Sequence, residues 1–251
     1  MIRVAAVGDL HVGTDAHAQW RDALKPVSDE ADVLLIAGDL TRIGTPEEGR
    51  AVASALELVS IPIVAVLGNH DYHGGCEEEI CGILGARGVH VLEGTTACID
   101  VGDARVGIAG SKGFGGGFVN ACGSDFGEPE MKAFIRHTAA VSGQLRRSLD
   151  SLDVDLRVAL LHYSPIPETL QGEHLQIYPF LGSHLLGEAV DRAGADLVVH
   201  GHAHAGSERG ATPGGAAVRN VAQPVIHSAY RVYCFSGPGE IECAQRAAES
   251  A

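Results

Sequence analysis

Aromatic residues are scarce in this 251-residue chain, at 5%, and basic residues are few, with 18 against 32 acidic ones for a formal charge of −14. A surface of that sign repels nucleic-acid backbones and anionic membranes at long range, so neither is an expected partner. It leaves room for a small phosphate substrate, because bound metal ions would dominate the field inside a site. No apolar run is long enough to span a bilayer. The opening strand signal leads straight into Gly8-Asp9-Leu10-His11, with no signal-peptide pattern. Six cysteines are scattered at 76, 81, 98, 122, 234 and 243 without a Cys-x-x-Cys pair, which leaves zinc-ribbon and thioredoxin chemistry unsupported. Reduced thiols in a cytoplasmic protein are the expectation, each one a small buried or half-buried apolar residue. Internal repeats and Ser/Pro-rich linkers are also missing, so residues 1–251 are expected to form one domain.

Core material is plentiful: 45% of the residues are hydrophobic and only 20% charged. The first half alternates strand and helix signals. Strands are expected at Ile2–Val7, Val33–Ala37, Ile61–Leu67 and Val89–Leu92. Helices are expected at Asp15–Ser28, from Pro46 toward Val59 with Thr45 as N-cap, and at Glu77–Ala86. This β-α-β-α order argues for a largely parallel sheet covered by helices. Next come two β-like runs, Thr96–Val101 and Ala104–Ala109, whose Gly102-Asp103 link suits a type II′ hairpin. A glycine-dense loop at 110–127 precedes a helix from about Pro129 to Leu149. Strand, long loop, helix (Ser183–Arg192) and strand (Asp196–His200) follow, then β-like runs at Ala216–Val221, Ser228–Phe235 and Glu240–Cys243. The expected class is α/β, with two sheets face to face, helices outside, and two related halves.

Five short motifs each follow an apolar run: Gly8-Asp9-Leu10-His11, Gly38-Asp39-Leu40, Gly68-Asn69-His70-Asp71, His162-Tyr163 and Gly201-His202-Ala203-His204. Residues just past several strand ends can converge at one edge of a sheet. Together they offer two aspartates, one asparagine and four histidines, with His70 left over. Oxygen and nitrogen ligands of this kind suit manganese, iron or zinc. A two-metal hydrolase needs a carboxylate to bridge cations roughly 3.5–4 Å apart. Asp39, on the middle of the first three strands, is the natural bridge. Two divalent cations less two aspartates leave about +2, which matches a phosphate monoanion or dianion. Taken singly, each Gly-Asp or Gly-Asn reads as a turn, with glycine supplying a positive φ.

The order GDLH, GDL, GNHD, HY and GHAH resembles the calcineurin-like metallophosphoesterases, over residues 8–204 and most specifically in GNHD and GHAH. The resemblance implies a four-layer α/β/β/α sandwich of two mixed sheets. It implies one metal on Asp9, His11, Asp39 and His204, and a second on Asp39, Asn69, His162 and His202. His70 resembles the family's non-ligand histidine, which contacts the phosphoryl group and protonates the leaving oxygen. The implied nucleophile is a hydroxide bridging the metals, with no covalent enzyme intermediate. Two departures stand out. Leu40-Thr41-Arg42 replaces the Asp-Arg-Gly that follows in many members, so the carboxylate that would orient His70 is missing; Asp71 reads as a structural turn residue. His-Tyr-Ser-Pro also stands where several relatives carry His-His-Pro.

Remaining residues receive plainer readings. His200 is expected to be buried, and His17, His73, His90, His137, His174, His184 and His227 to lie at the surface or in packing. Arg42 and Lys112 could grip a phosphate, but each reads first as a solvated loop cation. Residues 113–117 lack the Gly-Lys-Ser/Thr ending of a P-loop, which excludes that ATPase chemistry. The long segment 165–182 after His162 is the expected specificity element. The expected activity is hydrolysis of a small phosphodiester such as a cyclic nucleotide, with a phosphomonoester as the alternative. A nuclease is disfavoured by the charge, and a metal-free scaffold by the complete ligand set.

Overall fold

The computed structural model describes residues 1–236 and 240–242. The first half runs β1 (Ile2–Val7), α1 (His17–Leu24), α2 (Val27–Glu30), β2 (Val33–Ala37), α3 (Pro46–Ala55), β3 (Ile63–Val66), α4 (Glu77–Ala86) and β4 (Val89–Val91). A hairpin of β5 (Thr95–Val101) and β6 (Ala104–Ser111) follows, turning at Gly102 with φ +59°. Beyond it come the small β7 (Gly117–Phe118) and β8 (Ala121–Cys122) pair, α5 (Pro129–Asp150) and β9 (Leu156–Leu161). The last part holds α6 (Tyr178–Leu181), α7 (His184–Ala193), β10 (Leu197–His200), β11 (Arg209–Ala211), β12 (Ala217–Asn220), α8 (Gln223–Ile226), β13 (Arg231–Phe235) and β14 (Glu240–Glu242).

Two mixed six-stranded sheets result, ordered β14-β13-β1-β2-β3-β4 and β11-β12-β10-β9-β6-β5. Each has four parallel strands, β1 to β4 in one and β6, β9, β10 and β12 in the other, flanked by antiparallel neighbours. Side-chain alternation explains the layering. On β9, Val158 and Leu160 enter the core between the sheets, while Ala159 and Leu161 face the outer helices. On β10, Leu197 and Val199 face inward and Val198 outward. A period of two with both faces apolar is what a strand buried on both sides requires. Leu145 and Leu149 of α5 and Leu186 and Val190 of α7 cover the outer face of the second sheet. Leu24, Val52, Ile80 and Leu84 of α1, α3 and α4 cover the first. The four-layer α/β/β/α expectation is met.

Local chemistry sets the element ends. Thr45 caps α3, accepting from the Glu48 amide at 3.3 Å, with Pro46 in the first turn. Ser183 caps α7, and Gly194 ends it at φ +68°. Several expected elements are shorter than read, among them the strand expected at Ser228–Phe235, which begins at Arg231. Asp15–Ser28 breaks into α1 and α2 around Pro26, which has no amide hydrogen to continue the ladder. The α3 helix stops at Ala55, where the backbone tightens through Val59 N–H to Leu56 C=O. The third strand begins only after Pro62. The β7–β8 pair, β11, α6 and α8 are additions that the sequence pattern does not announce. Cysteine behaviour also differs: Cys98 and Cys122 are exposed, and Cys234 is disulfide-bonded rather than reduced. Disulfides are rare in cytosolic proteins. Cys243, the end of the last expected strand, lies outside the described residues.

Candidate metal centre

The motif residues sit just beyond the carboxyl ends of parallel strands, β1, β2 and β3 from one sheet and β9 and β10 from the other. The sheets are stitched there by main chain: Gly8 N–H donates to Val221 C=O at 2.8 Å, and Gln223 N–H to Gly8 C=O at 3.0 Å. Asp9, His11, Asp39 and His202 are all left-handed, with φ of +59°, +43°, +50° and +70°. Non-glycine residues adopt this region only when their surroundings hold them there, and such residues gather at functional sites. The simple turn reading is corrected here. Gly38 has φ +84°, but the left-handed residues of the first motif are Asp9 and His11, and neither Gly8, Gly68 nor Gly201 has a positive φ. Gly68 and Gly201 answer to space instead: a Cβ at Gly68 would strike Asp39, and one at Gly201 would strike the Asp9 carboxylate.

Three overlapping clusters place ligand atoms within 4.8 Å of one another: Asp9 with His11 and His204, His11 with Asp39 and His70, and Asp39 with His162 and His202. His11 links the first two and Asp39 the last two, and the two Asp39 oxygens diverge. Oδ1 lies 3.4 Å from His162 Nε2, while Oδ2 lies 3.8 Å from His11 Nε2 and 4.0 Å from His70 Nε2. His204 Nε2 is 2.8 Å from Asp9 Oδ1. Asn69 joins through its Oδ1, 2.9 Å from His162 Nε2. All seven residues read as ligands thus converge, and so does His70. Distance alone does not separate His70 from them.

The histidine rings are oriented by main-chain carbonyls. His162 Nδ1 is 2.8 Å from Ala37 O, so a neutral ring donates there and turns a bare Nε2 toward the oxygens of Asn69 and Asp39. Lone pairs facing lone pairs across a short gap are what a cation resolves, and the donor set fits a divalent metal in this respect. His202 Nε2 faces Phe180 O at 3.3 Å, and His70 Nδ1 faces Arg42 O at 2.7 Å. Such outer hydrogen bonds set the tautomer and aim of a ligating ring. Sequence reading missed all three carbonyls, since every residue has one and no side-chain pattern marks which will be used.

Electrostatics agree. Burial alone would raise the Asp9 carboxyl, but the His204 hydrogen bond, the nearby His162 and the His202 amide outweigh it and hold Asp9 below its usual range. Burial, reinforced by His162, pushes His202 down to about 3, and burial lowers His11. His204 is raised, chiefly by its hydrogen bond to Asp9. Neutral His11 and His202 beside an ionised Asp9 are in the protonation states metal binding needs, whereas His204 would have to give up the proton its bond to Asp9 favours.

Asp71 proves structural. Its buried carboxyl accepts from Leu40 N (3.1 Å), Gly68 N (2.8 Å), Thr41 N (2.8 Å) and Thr41 Oγ1 (2.5 Å), clamping the second motif to the third. Burial nevertheless raises its pKa. The missing orienting carboxylate for His70 is replaced by the Arg42 carbonyl, while the Arg42 side chain is an exposed cation 3.5 Å from Asp15. His200 is buried as expected, with Nδ1 2.8 Å from Gly201 O and Nε2 2.8 Å from Thr169 Oγ1. The seven other histidines fall outside the ligand clusters among the described residues. Lys112 corrects its reading: it is half-buried, with its ammonium over the rings of Tyr72, Phe114 and Tyr163. The 165–182 segment folds into short helical turns and reaches the site through Phe180 O, while Glu173 accepts from Ala205 N at 2.8 Å.

Among known proteins, the family description calcineurin-like phosphoesterase matches residues 2–206. Solved structures share the fold. Phosphopantetheinyl hydrolase from Mycobacterium tuberculosis superposes with a TM-score of 0.68 at 15% identity, covering 94% of this chain and 96% of that one. A hypothetical protein from Thermus thermophilus superposes with a TM-score of 0.57 at 14% identity, covering 96% of each chain. At such identities the likeness concerns the fold alone. No curated protein matches the sequence.

Proposed function

The chain belongs to the calcineurin-like phosphoesterase family, hydrolases that cleave phosphoester bonds at binuclear metal sites, and on that premise we propose how its residues divide the work. Asp9, His11, Asp39 and His204 hold one cation, and Asp39, Asn69, His162 and His202 hold the other. The observation that carries this division is the divergence of the Asp39 oxygens, one toward His162 and the other toward His11. Two divalent cations held there, as manganese, iron or zinc, would activate a water and offset charge on the phosphoryl oxygens.

His70 takes the acid's role on the family resemblance of its motif, since its carbonyl anchor is of the same kind as that of His162. With Nδ1–H donated to the Arg42 carbonyl, Nε2 is the ring atom that faces the cluster, and a proton there can pass to the leaving oxygen. The reading gives the attack to a metal-bound water in a single displacement, with no covalent enzyme intermediate. We assign residues 165–182 to substrate selection, since the Phe180 carbonyl adjoins His202 and the residue is 61% exposed. The substrate is a small phosphodiester, a cyclic nucleotide or similar, consistent with a compact acidic chain. A phosphomonoester is the second reading, favoured by the extra positive charge of Lys112 near Asp39. The reading keeps residues 1–251 as one domain with no helix among the described residues suited to crossing a membrane.

The test uses manganese-loaded protein with bis(p-nitrophenyl) phosphate and p-nitrophenyl phosphate. Metal-stimulated release of p-nitrophenol is expected from at least one. His70→Ala should keep its metals and lose turnover, most severely for esters with poor leaving groups. A His70→Ala protein that instead loses metal would make His70 a ligand and overturn its assignment.

A further inference from the structure

Lys112 is one of three lysines in the sequence, with Lys25 and Lys132. It lies immediately after β6, and its main chain is fixed on both sides. Its N–H donates to Glu93 Oε2 at 3.1 Å, and its carbonyl accepts from the His162 and Tyr163 amides at 3.1 and 3.0 Å. The position of this residue is therefore tied to the strand end that carries His162. Its side chain then enters a cage of three rings, with Nζ 4.7 Å from the Tyr72 centroid, 5.2 Å from Phe114 and 5.6 Å from Tyr163. Tyr72 is two residues past His70. The Tyr163 ring is buried and lies 4.4 Å from the His202 ring. The cage thus borders the part of the site built by Asp39, His162 and His202.

Rings hold an ammonium by its charge but give it no strong acceptor. Among the described residues no carboxylate comes within the 4.0 Å of an ion pair, and none accepts a side-chain hydrogen bond from Lys112. Lys25 and Lys132 have no ion pair there either, so what sets Lys112 apart is the ring cage beside the site. Three N–H donors remain for something that arrives from outside. Charge sharpens what that is. Two divalent cations less the Asp9 and Asp39 carboxylates and a metal-bound hydroxide leave about +1, and the Lys112 ammonium, which faces the Glu93 carboxylate only beyond ion-pair distance, adds one more. A simple phosphodiester brings one negative charge and leaves the region over-positive.

We propose that Lys112 is a substrate-binding residue that selects phosphoesters carrying a negative charge beyond the single charge of a simple diester, by pairing its ammonium with that additional anionic oxygen. The inference rests on the phosphoesterase reading above and, within it, favours monoesters and further-charged diesters over a singly charged cyclic nucleotide. The aromatic cage confines the long side chain, so little rotamer freedom is lost when the anion arrives.

Two ligand series test it on manganese-loaded wild type, Lys112→Met and Lys112→Arg, each first checked for metal content and melting temperature. The first series is equilibrium binding of inorganic phosphate by calorimetry. Lys112→Met should weaken it by about tenfold, the scale of one charge-assisted hydrogen bond, and Lys112→Arg should restore most of the loss. The second compares thymidine 5′-(p-nitrophenyl phosphate) with its 3′-phosphorylated form, which differ by one phosphate and release the same phenol. Wild type should favour the 3′-phosphorylated ester in kcat/KM, and Lys112→Met should erase that preference through KM while changing the simpler ester less than about threefold. Equal losses on both esters, or unchanged phosphate binding, would overturn the proposal. If wild type hydrolyses neither ester yet keeps its metals, the phosphoesterase reading of these substrates fails, and the phosphate affinities still decide Lys112.

Discussion

Removing the Asp71 carboxyl should cost more stability than removing any single proposed ligand. The carboxylate is buried and accepts four hydrogen bonds, Oδ2 from Leu40 N and Gly68 N, Oδ1 from Thr41 N and Thr41 Oγ1. In Asp71→Ala the Thr41 hydroxyl can turn elsewhere, but three main-chain N–H groups are left buried without an acceptor. Each such group costs about 1–3 kcal/mol, so the loss is about 3–6 kcal/mol after modest relaxation. That is a large part of the roughly 5–15 kcal/mol typical of a folded protein. Asp71→Asn is the graded comparison. Its single oxygen can serve Leu40 N and Gly68 N while its amide donates to Thr41 Oγ1, which strands only Thr41 N–H and costs about 1–3 kcal/mol. Urea unfolding of metal-free protein reads both values, provided the slope with denaturant is unchanged. A loss below about 1 kcal/mol in Asp71→Ala would refute the clamp, and so would an Asn variant as unstable as the Ala variant.

Other expectations are simpler. Asp39→Ala should lose both metals on dialysis, because one side chain serves two clusters; retention of one tightly held metal would count against the shared carboxylate. The His200 imidazole is held down to about 4 by burial, against 6.5 in the unfolded chain. The unfolded state then binds the proton first, so this contribution is intact above about pH 6.5 and is lost as pH falls toward about 4, by about 3 kcal/mol. His200→Asn should flatten the stability profile of metal-free protein in that window, and unchanged slopes would contradict the assignment. Thr45→Ala should destabilise by about 1 kcal/mol through the lost α3 cap, measurable as a lower urea midpoint with activity unaffected.

The sequence disclosed the site's side chains more fully than their supports. Asp9, His11, Asp39, Asn69, His70, His162, His202 and His204 were legible because strand ends converge and these residues stand at strand ends. The carbonyls of Ala37, Arg42 and Phe180 were not, since their role depends only on where the main chain happens to pass. The setting of Lys112 was hidden for a related reason. Its cage draws rings from positions 72, 114 and 163, and no local spacing links them. Most of the fold followed from apolar runs and caps. Where it did not, as at Pro26, a single missing amide hydrogen outweighed a helical pattern.

Left-handed backbone at Asp9, His11, Asp39 and His202 bears on how this protein can change. Each such residue costs roughly 1–3 kcal/mol that glycine would not incur. The site is therefore a standing load on the fold, and drift toward glycine at half-exposed His11 would relieve part of it while dismantling the centre. Stability screens run without metal would reward that outcome. A variant library selected for thermal tolerance alone should lose its chemistry at these four positions first, and engineering of this scaffold has to select for bound metal as well as for heat.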